Sequence, residues 1–101
     1  MSTRTPQKTE MEVFSETPNF PVIRHPGRNF PGSLIQGDSL SIIYQLATAI
    51  RSRAKKTGDT DLIDDAEELH ALLRTRLRIY EETLAAHGID LPYSGPLTTP
   101  K

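Results

Sequence analysis

Residues 60–86 carry the feature that most restricts the fold. Leu62, Ala66, Leu69, Leu73, Leu77, Tyr80 and Leu84 follow one another at steps of four, three, four, four, three and four residues. An α-helix turns about 3.6 residues per revolution, so these side chains share one stripe. The near-heptad spacing suits an antiparallel helix pair or an oligomeric bundle. Asp59 or Thr60 is placed to cap the start. Asp61, Asp64, Asp65, Glu67 and Glu68 crowd the first turns, where the macrodipole favours negative charge. Gly88 suits the position after the last turn, and Pro92 bars continuation. Ile63, Leu72 and Ile79 lie off the stripe and imply a second neighbour, either a sheet or another subunit.

A second helix precedes it. Leu40, Ile43, Leu46, Ala47, Ile50 and Ala54 recur at three- and four-residue steps, and Ile42 and Ala49 widen that face. Asp38 or Ser39 is the expected cap. Arg51, Arg53, Lys55 and Lys56 sit near the end, and Thr57-Gly58 closes the helix. So short a connection makes the two helices antiparallel neighbours.

Upstream the chain reads as extended and broken by proline. Met11–Glu16 and Phe20–His25 are strand candidates, with Pro21 confined to a strand start or an edge. Pro26-Gly27 fits the centre of a type II turn, and Pro31-Gly32 repeats the pair. Ser33–Gln36 is a third short strand. A lone hairpin is marginal in water, so the helices are expected to cover it. The fold class is therefore α+β: a short N-terminal β-hairpin or three-stranded meander, then an antiparallel helical hairpin. Residues 11–93 form the single domain, and the polar stretches 1–10 and 94–101 are expected to be flexible tails.

Composition narrows the function classes. Twelve Lys and Arg against thirteen Asp and Glu leave a net charge of −1, which gives no whole-molecule field for nucleic acid or membrane. There is no cysteine, so disulfides and thiolate chemistry are excluded. No apolar run approaches the roughly 20 residues of a membrane span. The N-terminus lacks a signal-peptide core, and a cytoplasmic location is expected.

The polar loop between sheet and helix holds the candidate site. Arg24, His25, Arg28, Gln36, Asp38 and Ser39 cluster there in sequence, beside glycines and a helix N-terminus. Arginines and a helix start suit an anion, although the Asp38 carboxylate competes for the same place. The glycine spacing matches neither the Walker loop nor the dinucleotide fingerprint. His25, His70 and His87 show no metal-ligand spacing, and neither a metal nor a cofactor is expected. Ser39 and Ser41 at a helix start, with His25 nearby in the loop, could form a Ser-His pair, but no nucleophile elbow surrounds them. Arg51, Arg53, Lys55, Lys56, Arg74, Arg76 and Arg78 come without an aromatic platform, so nucleic acid is not favoured.

The run V-I-R-x-P-G-R-x-F-P-G-x-x-I-Q-G-D-S-L (Val22–Leu40) and the ending Ala86–Tyr93 resemble a family of small bacterial proteins of unknown function. The resemblance covers Val13 to Tyr93 and implies the same layout, but it supplies no activity. It draws attention to Arg24, Arg28, Gln36, Asp38 and Ser39. The expected function is a non-enzymatic oligomeric binding protein, with a dimer the first choice. The loop would take an anionic, nucleotide-like ligand, as in sequestering a nucleotide signal in phage–host defence. The alternatives are a protein-interaction or immunity-type module using its helical faces, and a small hydrolase using His25 and Ser39.

Overall fold

The structure is a computed structural model that describes residues 5–98. Three short strands precede two long helices: β1 (Glu12–Ser15), β2 (Val22–Arg24), β3 (Gly32–Ser33), α1 (Gly37–Thr57) and α2 (Thr60–Ala86). The α+β meander-plus-hairpin expectation holds.

The sheet is antiparallel in the order β1-β2-β3. Glu12 pairs with Arg24 and Val13 with Ile23, and a bulge before Ser15 shifts the register. Val22 pairs with Ser33 and Ile23 with Gly32. Pro26-Gly27 forms the expected turn. Gly27 has φ +84°, and the Arg28 N–H donates to the His25 carbonyl at 3.1 Å. Pro31-Gly32 does not repeat it, because Gly32 is ordinary strand backbone in β3. β3 is shorter than expected, yet Leu34 N–H still bonds Pro21 O and Gln36 N–H bonds Asn19 O.

The helix ends follow local chemistry. Gln36 is the N-cap of α1 through its extended backbone, two or three residues before the expected cap. Asp38, inside the first turn, accepts the Ser39 N–H at 2.8 Å instead. Asp59 caps α2 and accepts the Leu62 N–H at 3.1 Å. At the far end Ile89 N–H bonds Leu84 O and Gly88 N–H bonds Ala85 O, a complete Schellman closure. No helix among the described residues is long and apolar enough to cross a membrane.

The core lies between the helices. Leu40, Tyr44 and Leu77 are buried, with Leu73, Tyr80, Tyr93 and Leu97 packed around them. Ala47, Ala54 and Ala66 are the other buried apolar residues of the two helices. Gly37 sits under the Tyr80 ring at the start of α1, where a Cβ would run into the far end of that ring and push it aside. This is a different setting from the expected one. Ile43, Leu46 and Ile50 of α1 and Leu62 and Leu69 of α2 face outward, while Tyr44, His70 and Glu81 go inside.

The sheet is not covered by the helices, contrary to expectation. Among the described residues no strand packs directly on α1 or α2, and Met11, Val13, Phe14 and Phe30 stay exposed. The Cα radius of gyration is 16.3 Å, against about 13 Å for a compact chain of this length. Residues 94–98 depart from the tail expectation, because they dock on the helices. Residues 5–10 are exposed and irregular, and the remaining tail residues lie outside the described ones.

Candidate functional site

The six loop residues are dispersed by the fold. Arg24 projects from β2, and its Nε donates to Glu12 Oε1 at 2.6 Å on the paired strand. Its guanidinium also sits 5.4 Å from the centre of the Phe14 ring. The bond from Arg24 holds the Glu12 carboxyl below the usual carboxylate range, and Arg24 is raised in turn. This arginine is occupied within the sheet. His25 Nδ1 bonds the Pro26 carbonyl at 2.9 Å. His25 and Arg28 share a hollow of about 480 Å³ with Ile23, Phe30 and Leu34. Gln36 and Asp38 serve the start of α1, and Ser39 lines a separate groove. The imagined nucleophile pair, His25 and Ser39, thus borders two different hollows. Among the described residues no three His, Asp or Glu side chains gather as metal ligands.

Two polar arrangements that the sequence did not announce sit on the helices. His70 lies 5.0 Å ring to ring from Tyr44, and its Nε2 is 3.1 Å from Thr48 Oγ1. That hydroxyl donates to Tyr44 O, so it accepts from the His70 Nε2–H. Burial, then the nearby Arg51 charge, pulls the His70 pKa below its ordinary value. Arg51 bonds Glu67 at 2.7 Å and Lys55 approaches Glu67 at 3.6 Å, so the basic end of α1 finds this glutamate rather than the aspartate run.

Glu81 organises the second arrangement. Its carboxylate, 5% exposed, accepts from Tyr93 Oη at 2.7 Å, Leu97 N at 2.8 Å, Thr98 N at 3.1 Å and Thr98 Oγ1. Arg74 Nη2 adds a bond to Thr98 O at 2.8 Å. Burial alone would raise the Glu81 pKa, but the four donors outweigh it and the group titrates low. Burial and the adjacent carboxylate push the Tyr93 phenol upward. Residues 93–98 form a strap across one flank of the helical hairpin.

Among the described residues no strap crosses the opposite flank. The exposed Ile42, Leu46 and Ile50 of α1 and Leu62, Leu69 and Leu72 of α2 lie along it. At one end Phe20 and Ile35 from the loops join Ile42 and Ile43 around an apolar groove of about 450 Å³. At the other, Ile50 and Leu62 border a smaller hollow of about 170 Å³. Such a surface is shaped for apolar contact rather than for chemistry.

A family model described as a family of unknown function (DUF6959) matches residues 6–93. The chain belongs to that family. The match takes in the sheet, both helices and the strap's anchor Tyr93. No curated protein and no solved structure matches this chain.

The width of the apolar pattern was the available signal for the open flank. α1 carries Ile42, Ile43, Leu46 and Ile50 beyond what one helical neighbour can bury. Glu81, next to Tyr80 in the stripe, gave no such signal, since a lone glutamate on a helix is ordinarily solvated.

Proposed function

We propose that the chain is a non-enzymatic protein-interaction module that binds through the open apolar flank of its helical hairpin. One observation supports this above all. Leu46 and Ile42 are each 59% exposed and Leu72 is 49% exposed, in a row of aliphatic side chains continuous with the Phe20–Ile35 groove. Isolated exposed leucines are ordinary, but a contiguous patch marks an interaction surface. A photoreactive phenylalanine analogue at Leu46 in living cells tests it. Protein adducts are expected there and not at Glu82 on the opposite side of α2. Equal labelling at both positions, or none, rejects the reading.

A second reading is favoured by Arg28. Among the described residues no carboxylate pairs with it, and it borders a hollow with His25. That supports an anionic, nucleotide-like ligand, with Arg28 rather than Arg24 making the contact. Thermal-shift titration with nucleotides and cyclic nucleotides is the test. Stabilisation lost in Arg28→Ala supports this reading, and no stabilisation of the native chain ends it.

A further inference from the structure

We infer that the partner on the open flank is a second copy of this chain, joined as a twofold four-helix bundle. This rests on the reading of that flank as an interaction surface and names its occupant.

The helical geometry comes first. Each residue turns a helix by about 100°. Counting from buried Ala47, the residues Ile43, Ile50, Leu46 and Ile42 fall progressively to one side of α1. Counting from buried Leu77, Leu62, Leu69 and Leu72 fall progressively to one side of α2. Because the helices are antiparallel, those two sides point the same way. Glu81, Arg74 and the strap lie on the other side. The hairpin is therefore one layer with a covered flank and an apolar one, which is half of a bundle.

The exposed area fits the same occupant. The chain exposes 7941 Å², whereas a compact chain of 11.3 kDa exposes about 5,700 Å². The excess, roughly 2,200 Å² on that scaling, is shared among this flank, the uncovered sheet and the irregular segment at residues 5–10. An obligate dimer needs about 1,000 Å² from each chain, which that excess can supply.

One charge pair on this flank is self-complementary. Gly37 beside Tyr80, Thr48 beside His70, and Arg51 beside Glu67 fix the heights of the two helices. On that ladder Leu46 is level with Leu72, and Arg53 is level with Asp65. Arg53 and Asp65 are exposed and fall on the apolar side. A twofold axis parallel to the helices lays α1 of one copy against α2 of the other without changing height. Leu46 then meets the partner's Leu72, and Arg53 meets the partner's Asp65. The axis makes each contact twice, as an isologous interface requires.

Light scattering on the full-length chain after size exclusion tests the assembly. The native chain is expected at twice 11.3 kDa. Leu46→Glu and Arg53→Glu are each expected to halve that mass with an unchanged helical circular-dichroism spectrum. Arg53→Glu combined with Asp65→Arg is expected to restore it. A dimer indifferent to Leu46→Glu, or a charge swap that fails to restore the mass, overturns this arrangement. A monomeric native chain overturns it too, and adducts from Leu46 to other proteins would then leave the interaction reading standing. A monomer without adducts removes both.

Discussion

On one flank of the helical hairpin, Glu81 and Arg74 hold residues 93–98 against the helices. On the other, Ile42, Leu46, Leu69 and Leu72 stay about half exposed. The flanks differ in what they need. A buried carboxylate requires donors, and a short polar segment brings several backbone and hydroxyl donors at little volume. An aliphatic row requires area, which a short strap cannot supply but another helical layer can. The chain's own C-terminal segment thus completes the polar flank and leaves the apolar one open.

The sharpest way to break this comparison is to delete the same side chain in two places. Leu77 is 0% exposed between the helices, and Leu77→Ala is expected to cost about 3 to 4 kcal/mol in denaturant melts. Glu81→Ala comes next, at about 2 to 3 kcal/mol, because the released donors partly return to water. Its loss should appear in hydrogen exchange at Leu97 and Thr98. If both amides remain protected, the strap does not depend on Glu81.

The same contact predicts a pH dependence. The folded Glu81 pKa lies below its ordinary 4.5, so its contribution is full above that value and fades as pH falls through the folded pKa. Glu81→Gln should remove this part of the acid sensitivity. His70 acts in a higher window. Its folded pKa lies below 6.5, so the unfolded chain binds the proton first and stability falls as pH drops below 6.5. His70 NMR titration showing a pKa at or above 6.5 would contradict the buried Thr48 contact.

Gly27→Ala places a Cβ at φ +84° in open space, so only backbone strain is added, roughly 1 kcal/mol. Since among the described residues no strand packs on a helix, exchange should quicken in β2 and β3 while α1 and α2 keep their protection. The smallest effect is expected from Leu46→Ala under dilute conditions, within about 0.5 kcal/mol. A larger loss that grows with protein concentration would report assembly through that flank.

Much of the layout was legible in residues 12–88. The caps at Asp59 and Gly88, the turn at Pro26-Gly27 and the helical periodicity are local devices, each acting within a few residues. The candidate loop was less legible. Arg24 and Arg28 are neighbours in sequence, but strand pairing brings Arg24 to Glu12, twelve residues away. The turn at Pro26-Gly27 leaves Arg28 beside His25 instead. The strap was invisible for a similar reason: SGPLT has no periodicity of its own, and its place depends on how the chain turns after α2.

The sequence by itself determined two antiparallel helices behind a small antiparallel sheet, because spacing, caps and turns are short-range. Only the tertiary structure decided how each helix is rotated. Ile43 and Tyr44 on α1, and Leu69 and His70 on α2, are adjacent residues of which one goes in and one stays out. Periodicity cannot choose between adjacent stripes when both are apolar. Tyr44 lying tilted against His70, Thr48 accepting the His70 N–H, and Glu81 gathering the strap satisfy polar groups in this rotation. The need to pair those groups, with Gly37 fitted under Tyr80, sets the helices and turns their remaining apolar face outward.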